Sequence, residues 1–546
     1  MSNTDRLHDI AIIGAGINGA GIARDAAGRG LSVAIVDSGD FGGATSSSST
    51  KLIHGGLRYL EFYAFGLVRK ALAEREVLLD IAPHITWPQA FVLPHAAGMR
   101  PEWMLRLGTF LYDHLARRDV VPGSARIDLR SERAGRALKS DYRAAFRYWD
   151  GWVDDARLVI ENLKCAAAHG ATVLPRTAVA RAERREGVWQ LSLGGNNGDG
   201  GRTIAARRLI NAAGPWAESV ARQVMGINDA PPLRLVQGSH IVTRRVHLGR
   251  DAFMLQQPDG RIIFIIPYEH DYSLIGTTEA DVPTPESAAV SDAEVDYLLA
   301  AANRYLARPL TQDDVVHRFA GVRPLILESG KGDRETTRDY RLVEHAGLDA
   351  LSVVGGKITT YRVLAEDVLA RIAPKSKKWT HSAPLPGGAI PRGAGENGQA
   401  AFKRWRDQLI AAQANYDPAI VKRLAHSIGA PASARISAAS SKPSWTISAP
   451  TNGPAPAPTC SGAAPSRACT SMPPRKDRWR AGSAKPRPQS PKSRTATASP
   501  SQARSKSRAH RPLRTGNRRQ CRRRPAARRL PRRRRRSDRA IGLHLG

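Results

Sequence analysis

DIAIIGAGINGAGIARDAAGRGLSVAIVD, residues Asp9–Asp37, is the segment of this 546-residue chain that indicates its fold class most clearly. Its apolar run Ile10–Ile13 predicts a β-strand, and the run Val33–Val36 predicts a second one. The segment between them has a helical composition and opens with the spacing Gly-x-Gly-x-x-Gly. A strand, a glycine-rich turn, a helix and a strand that ends in an acid together predict a dinucleotide-binding βαβ unit.

The three glycines and the final aspartate have separate roles in such a unit. Gly14 makes the tight turn, Gly16 lets the backbone approach a pyrophosphate, and Gly19 lets the helix pack closely on the strand. The helix N-terminus offers N–H groups to the anion. Asp37 stands where an acid accepts the ribose hydroxyls, and because it would repel a 2′-phosphate, the sequence disfavours NADP. A purely structural turn is the alternative, which the two flanking strands and the acid disfavour.

The formal charge of +34 is concentrated at the C-terminus. Residues 427–546 hold 29 Lys and Arg and two acids, so they carry +27 of that charge and the first 426 residues carry +7. A body of this size predicts two closely packed domains that bury a cofactor. Only Cys165 of the four cysteines lies in the body, which favours a reducing compartment. Neither a signal peptide nor a long apolar run is evident, so we expect a chain that is neither secreted nor membrane-spanning.

The basic tail, residues 427–546, is rich in Ala, Pro, Ser and Arg, and we expect it to be disordered. Three interpretations are open: an electrostatic arm for nucleic acid or anionic lipid, an extension without a specific role, and GC-rich DNA translated out of frame. We favour the third, because the change is abrupt and follows a helical pattern over 400–426. An RNA-binding arm would interleave aromatic residues among its charges, whereas Trp479 is the only aromatic residue after Trp445. We therefore expect no specific nucleic-acid partner.

Patterns in the body predict further elements. The Gly/Ser/Thr-rich loop 38–51 suits close contact with a cofactor, a flexible linker being the alternative, and a helix is expected over 63–79. Residues 101–118 predict an amphipathic helix, whose apolar stripe we assign to the core, with a membrane surface as the alternative. Runs at 235–243, 261–267 and 272–277 predict an inserted antiparallel sheet. Strands at 209–214 and 351–354 end in glycines, and a helix is expected from about Lys357.

Several long motifs then show a specific resemblance. They occur in the same order from Asp9 to about Arg371, and they resemble FAD-dependent glycerol-3-phosphate dehydrogenase, the respiratory enzyme of aerobic glycerol metabolism. The motifs are TSSSSTKLIHGGLRYLEFYAFGLVRKALAEREVLLDIAPH (Thr45–His84), NAAGPWAESV (Asn211–Val220), GSHIV (Gly238–Val242), GVRPL (Gly321–Leu325) and GGKITTYRVLAED (Gly355–Asp367).

The resemblance implies an α/β fold: an FAD-binding Rossmann-like domain of the glutathione-reductase and D-amino-acid-oxidase type, with an inserted antiparallel substrate sheet. It assigns 1–375 to this oxidoreductase domain, with FAD-binding parts at about 1–90, 150–225 and 315–375 and substrate parts at about 91–149 and 226–314. Residues 376–426 then form a linker and the start of a C-terminal helical domain. That domain is largely absent, because the sequence departs from the family pattern after about Ala425.

The resemblance also implies an activity and its partners. Members hold FAD non-covalently, oxidise sn-glycerol 3-phosphate to dihydroxyacetone phosphate, and pass the electrons to a membrane quinone. A cytoplasmic enzyme bound peripherally to the inner face of the cell membrane is expected, with a homodimer as a possible state. The alternatives are an oxygen-using glycerol-3-phosphate oxidase, another small-substrate amine or hydroxy oxidase of this fold, and a polyanion-binding protein that acts through its tail.

The phosphate of such a substrate requires cationic side chains, and Arg58 and Arg323 are the candidates, a structural ion pair being the alternative. His240 is the first choice for the general base that accepts the hydroxyl proton while hydride passes to flavin N5, and His54 competes with it. A hydrogen-bonded core histidine is the alternative for His240. The other candidates near the substrate or the flavin ring are Tyr59, Lys357 and Thr360. The expected cofactor contacts are Gly14, Gly16 and Gly19 for the pyrophosphate, Asp37 for the ribose, Thr45, Ser46 and Ser49 from the loop, and Gly214 and Gly356 from other strands; no metal site is expected.

Overall fold

The computed structural model describes residues 6–96, 98–194, 201–326 and 339–430. Nearly all of the basic tail therefore lies outside the described residues, and with it the disorder expected there. Within the described ranges, no helix is both long enough and apolar enough to cross a lipid bilayer.

Strands and helices alternate irregularly along the described ranges. The strands are β1 (Leu7–Ile13), β2 (Val33–Val36), β3 (Leu52–Ile53), β4 (Thr86–His95), β5 (Ala125–Asp128), β6 (Ala144–Val153), β7 (Thr172–Leu174), β8 (Ala178–Arg185), β9 (Val188–Gly194), β10 (Thr203–Asn211), β11 (Leu233–Arg244), β12 (Ala252–Gln256), β13 (Ile262–Tyr268), β14 (Tyr272–Gly276), β15 (Ala280–Asp281), β16 (Val315–Ile326), β17 (Arg341–His345) and β18 (Ala350–Val354). The helices are α1 (Ile17–Gly28), α2 (Phe65–Ile81), α3 (Glu102–His114), α4 (Asp155–Ala168), α5 (Ala217–Ser219), α6 (Asp292–Asn303), α7 (Tyr361–Ile372), α8 (Gly398–Ala412) and α9 (Pro418–Ile428).

The first sheet confirms the nucleotide-binding unit. Its order is β17-β18-β10-β1-β2-β7, and β1 pairs in parallel with both β2 and β10. Helices α1, α4 and α7 pack on one face of this sheet, where Ile12, Ile22 and Leu364 are fully buried. Because parallel strands buried on both faces consist of near-continuous apolar runs, the runs at β1 and β2 could be recognised in the sequence.

The second sheet confirms the predicted insertion. Its order is β15-β11-β14-β13-β12-β4-β6-β3, with β16 paired to β11 and β5 paired to β6. All of its pairings are antiparallel except β12 with β4. The register of β11 with β16 places Gly238 opposite Gly321 and Val236 opposite Arg323. Gly238 and Arg323, which both line the cavity described below, therefore lie on neighbouring strands of this sheet.

The amphipathic helix expected over 101–118 forms as α3, but its assignment to the core is wrong. Trp103 is 64% exposed and Phe110 is 57% exposed, whereas Thr109 and Tyr112 are the buried residues of the helix. The short turn that precedes α2 adds further exposed aromatic side chains, among which Tyr63 is 81% exposed. The periodicity correctly predicted the helix. The same apolar stripe is expected whether it packs against protein or against lipid, so the sequence does not distinguish the two.

The last two helices pack together, and α8 also packs against α2. Phe402 and Trp405 of α8 share a small core with Val421 and Ala425 of α9. Gln399 donates from its side chain to the carbonyls of Leu79 and Thr86, at 2.9 and 2.8 Å, and so joins α8 to the end of α2 and the start of β4. The helical pattern seen over 400–426 is thus confirmed.

Candidate active site

A cavity of about 1910 Å³ is lined by the ends of β1 and β2 and by residues of the second sheet. Typical pockets for small molecules measure roughly 300–1,000 Å³. This cavity therefore has room for a large cofactor together with a small substrate. Its lining includes the glycine-rich turn at Gly14 and Gly16 and the cationic residues Arg58, Arg323 and Lys357.

The glycine-rich turn has the geometry that a pyrophosphate site needs. Gly14 has a φ of +99°, and a Cβ there would lie 2.6 Å from the carbonyl oxygen of Ala212. Gly16 precedes the first turn of α1 and lines the cavity, so the helix begins beside the cavity with no side chain at its N-cap position. Gly19 does not line the cavity; a Cβ there would lie 1.9 Å from the carbonyl oxygen of Gly14. Its contribution is the close packing of α1 on the turn.

Asp37 follows β2 and lies on the cavity wall, and its role as a ribose-binding acid stays a prediction. Its Oδ2 accepts a hydrogen bond from the Ala15 N–H at 2.6 Å, and its Oδ1 accepts one from Gly39 at 2.8 Å. A carboxylate has about four acceptor positions, so two bonds to backbone leave capacity for hydroxyl groups. The carboxylate thus also holds the glycine-rich turn and the following loop together.

The loop 38–51 lines the cavity and is fastened to three other elements. The Ser46 hydroxyl accepts from the Ile17 N–H at 3.0 Å, and the Thr45 hydroxyl donates to the Val322 carbonyl at 2.7 Å. The Ser49 hydroxyl donates to Asp155 at 2.7 Å, and that carboxylate also binds Lys51 at 2.6 Å. The Ser49 hydroxyl therefore anchors the loop to Asp155 at the start of α4, and its role as a cofactor ligand stays a prediction.

The observed residues fit a dinucleotide. Gly214 has a φ of +57° and Gly356 a φ of +100°, and both lie on the cavity wall, where backbone without side chains permits close approach. Asn18 donates to the Gly355 carbonyl at 3.1 Å, while its Oδ1 is buried and has no hydrogen-bond partner within the described part of the chain. A buried acceptor without a donor costs stability unless a ligand or water satisfies it. Asn18 was missed by the sequence analysis.

The cavity is also lined by Arg58, Tyr59, Arg323, Lys357 and His54. The Lys357 ammonium lies 4.0 Å from the centroid of the Tyr59 ring, a cation–π distance that fixes both side chains. Arg58 lies on the 3₁₀ turn Leu57–Phe62. Cationic side chains on a cavity wall favour an anionic ligand.

His240 occupies a different place from the one expected of a base in contact with substrate. Its side chain is 1% exposed, stacks on Phe319 at a centroid distance of 5.0 Å, and does not line the cavity. Its Nε2 lies 2.9 Å from the hydroxyl oxygen of Thr50, which does line the cavity. Burial, with a further contribution from nearby Arg323 and Lys51, lowers the pKa of His240 to about 3. His240 thus lies behind Thr50 as a neutral imidazole.

Thr360 is likewise set back from the cavity. It is 1% exposed, does not line the cavity, and its hydroxyl has no hydrogen-bond partner among the described residues. Lys357 and Ile358, which precede Thr360, both line the cavity.

The sequence analysis also missed charged residues on the cavity wall. Arg234 pairs with Asp281 at 2.7 Å and Arg261 with Asp259 at 2.8 Å. Asp150 is completely buried, and burial raises the pKa of its carboxyl group against the opposing effect of Arg75. An aspartate inside the apolar run AFRYWDGWV was the available signal for this last residue, because a buried acid in a strand requires partners.

Comparisons with known proteins agree with this geometry. The family model for FAD dependent oxidoreductases (DAO) matches residues 9–362. D-erythritol 1-phosphate dehydrogenase of Brucella abortus (strain 2308) is 50% identical over 390 residues, which cover 70% of this chain and 78% of that protein. Aerobic glycerol-3-phosphate dehydrogenase of Escherichia coli (strain K12) is 45% identical over 392 residues, which cover 70% and 77%.

A solved structure extends the agreement to the fold. The structure of glycerol-3-phosphate dehydrogenase from Bacillus halodurans, complexed with FAD, is similar with a TM-score of 0.61 and 28% identity, and the match covers 78% of this chain and 76% of that one. The resemblance to FAD-dependent glycerol-3-phosphate dehydrogenase is confirmed. The chain belongs to the FAD-dependent oxidoreductase family, and FAD is its cofactor.

Proposed function

We propose that the chain oxidises a secondary hydroxyl group of a short polyol phosphate to a ketone, with sn-glycerol 3-phosphate as the substrate and dihydroxyacetone phosphate as the product. One observation carries this proposal: Arg58, Arg323 and Lys357 line the same cavity as the glycine-rich turn at Gly14. A dinucleotide site and a cluster of cations that share one cavity favour a small phosphorylated substrate over a neutral alcohol.

The two arginines are the proposed phosphate ligands. A guanidinium group presents a planar set of donors that fits two phosphate oxygens at once, which a lysine cannot reproduce. Tyr59 adds a phenol group to the same wall. Because Lys357 lies over the Tyr59 ring, its ammonium group is held near the turn that carries Arg58.

His54 is the proposed general base. Unlike His240, it lines the cavity, and its backbone N–H donates to the Thr359 hydroxyl at 3.2 Å, which ties it to the turn that follows Lys357. In the reaction, His54 accepts the proton of the substrate hydroxyl as the C–H bond of that carbon breaks. Bound FAD supplies the electron acceptor for the hydride, at N5 of its ring. His240 supports the site through Thr50.

A four-carbon polyol phosphate is the second candidate substrate. It is favoured by the 50% identity to D-erythritol 1-phosphate dehydrogenase of Brucella abortus, which exceeds the 45% identity to the Escherichia coli glycerol-3-phosphate enzyme. Both substrates present a phosphate to the same cations. They differ by one CHOH unit, which the wide cavity accommodates.

The proposed electron acceptor is a membrane quinone, reached by peripheral binding to the cytoplasmic face of the membrane. Support comes from the exposed side chains of Trp103, Leu107 and Phe110 along one stripe of α3, beside the exposed Tyr63. Arg117, whose side chain is 88% exposed, follows the end of α3, where it suits anionic headgroups. An amphipathic helix of this kind lies in the interface and does not cross it.

Steady-state kinetics test the proposal directly. The ratio kcat/KM is compared for glycerol 3-phosphate, erythritol 1-phosphate and glycerol, each with a soluble quinone analogue and with oxygen as the acceptor. We expect a phosphate ester to exceed glycerol by about 100-fold or more, since a charge-assisted pair of bonds contributes roughly 3 kcal/mol. Higher turnover with oxygen than with quinone would contradict the quinone part, and equal rates for glycerol would contradict the phosphate part.

A further inference from the structure

A buried tyrosine on α3 is hydrogen-bonded to the turn that leads into the phosphate-binding residues. The Tyr112 hydroxyl donates to the Asp150 carboxylate, with oxygen distances of 2.7 and 2.8 Å. The same hydroxyl oxygen accepts from the Gly55 N–H at 2.9 Å. Gly55 also lies within 3.2 Å of Asp150 Oδ1, so the amide is shared between the two acceptors. One hydroxyl group thus joins α3, β6 and the cavity turn.

A buried arginine completes this cluster. Arg75 of α2 donates to Asp150 Oδ1 at 3.0 Å and to Glu76 at 2.9 Å. The side chains of Arg75 and Asp150 are 2% and 3% exposed, and Tyr112 is 2% exposed. Removing such charges from water costs several kcal/mol per ion unless each finds partners. Because apolar side chains could fill this core at a lower cost, the retained charges suggest a geometric requirement.

The geometric requirement is the close contact between Tyr112 and the backbone at Gly55, just before the 3₁₀ turn Leu57–Phe62. A Cβ at Gly55 would lie 2.4 Å from Leu72 and 2.7 Å from the Tyr112 hydroxyl oxygen, so the backbone fits directly against the tyrosine. Gly56 follows with a φ of +80°, and the 3₁₀ turn Leu57–Phe62 begins at once. That turn carries Arg58 and Tyr59. The position of the Gly55 amide therefore sets where these two side chains enter the cavity.

We propose that Tyr112 is a positioning residue: its hydroxyl group fixes Gly55 so that Arg58 and Tyr59 face the phosphate of the substrate. The inference rests on the proposed function, since it assigns Arg58 and Tyr59 to a phosphate. Tyr112 acts through the backbone and does not itself touch the substrate.

The test compares Y112F with Y305F in the full FAD-loaded chain. Tyr305 is also 2% exposed and also donates a hydrogen bond from its hydroxyl, but its acceptor is the carbonyl of Gln256, which does not line the cavity, whereas the acceptor of Tyr112 is the cavity-lining Asp150. Y112F loses two buried hydrogen bonds, the one to Asp150 and the one from Gly55, whereas Y305F loses one, so Y112F is expected to lose more stability. Two quantities are measured: amide hydrogen exchange across residues 54–62, and the KM and kcat for glycerol 3-phosphate.

In Y112F we expect faster exchange over 54–62 and a KM raised about ten-fold, with kcat changed by less than about three-fold, as expected when ground-state binding is weakened. Y305F should change neither exchange over 54–62 nor KM. Unchanged exchange in Y112F would overturn the proposal, and so would faster exchange with an unchanged KM, because the tyrosine would then stabilise the turn without positioning the ligands.

D150N is a second variant of the same cluster, for the case in which Y112F does not fold. It keeps the shape of the cluster and one acceptor oxygen, and it should raise exchange over 54–62 and the KM in the same way. If the wild-type protein fails to oxidise any polyol phosphate, the proposed function fails. In that case the role of Tyr112 is tested by the exchange data and by the Kd of inorganic phosphate for Y112F and wild type. Equal Kd values would overturn the role, and a Kd raised about ten-fold in Y112F would support it.

Discussion

The hydroxyl oxygen of Thr50 lies 2.9 Å from Nε2 of His240, and of these two residues it is Thr50 that lines the cavity. The arrangement predicts that His240 acts only through Thr50. T50V and H240N should each slow flavin reduction by about ten-fold, and the double variant should be no slower than either, because both remove the same interaction. Anaerobic stopped-flow absorbance measures these rates. A loss of about 1,000-fold in H240N alone would instead make His240 the base itself.

A substitution at Gly238 is expected to move the Arg323 side chain without changing Arg323 itself. A Cβ at Gly238 would lie 2.8 Å from the Arg323 guanidinium group and 2.7 Å from the Thr277 hydroxyl oxygen. Both contacts are ends of side chains, so we expect G238A to fold and bind FAD while the guanidinium group shifts away from the phosphate. The KM for glycerol 3-phosphate should rise by about ten- to 100-fold, which corresponds to weakening one charge-assisted bond.

A matched control for that experiment is G66A. Gly66 lies in α2, and a Cβ there would meet no atom within 4 Å. This variant should leave the KM unchanged. If G238A also leaves the KM unchanged, Arg323 is not a phosphate ligand.

Three buried histidines predict how stability depends on pH. Burial lowers the pKa of His84 and of His240 to about 3 and the pKa of His426 to about 4. Each folded-state pKa lies below the unfolded value, so below pH 6.5 the unfolded chain takes up protons that the folded chain does not. Stability is then fully present above about pH 6.5 and is lost as the pH falls toward 3, by roughly 1.4 kcal/mol per pH unit for each histidine.

Urea unfolding at pH 7 and pH 5 with saturating FAD measures this effect. Both ring nitrogens of His84 are buried and have no hydrogen-bond partner in the part of the chain that the structure describes, so leucine is a suitable replacement. The loss of unfolding free energy between the two pH values should be about 2 kcal/mol smaller in H84L than in wild type. H114N, which alters an exposed histidine, is the control. Equal losses in H84L and wild type would refute the assignment to His84.

The exposed stripe of α3 predicts reversible binding to lipid. Phe110 is 57% exposed, and moving such a side chain into lipid contributes roughly 1.5–3 kcal/mol. F110E should therefore bind vesicles containing phosphatidylglycerol at least about ten-fold more weakly than wild type in a sedimentation assay. L248E changes a leucine that is 87% exposed on another segment and should bind as wild type does. Equal loss in both variants would mean that α3 is not the contact.

Much of the fold was predictable because its signals are local. The apolar runs of β1 and β2 and the glycines between them follow from strand burial and a tight turn, and both appear within 29 residues. The strands of the second sheet were found by alternation, as at β11 and β13. Neither rule states which face of an element meets protein, and for that reason the α3 stripe was assigned to the core.

The candidate site was predictable as a set of residues but not as an arrangement. Motifs located Arg58, Arg323 and Lys357, whereas the place of His240 behind Thr50 depends on the pairing of β11 with β14 and β16, which brings distant segments together. The cluster of Tyr112, Asp150 and Arg75 joins three elements separated by up to 75 residues. No short motif contains such a cluster.

The proposed activity requires FAD and a substrate phosphate bound by cations in one cavity. The most direct test is to purify the chain without added cofactor and to record its visible absorbance before and after anaerobic addition of glycerol 3-phosphate, with glycerol as the control. We expect a flavin spectrum that bleaches with the phosphate ester and stays unchanged with glycerol. Flavin bands that no polyol phosphate bleaches, or that glycerol bleaches equally well, would contradict the account.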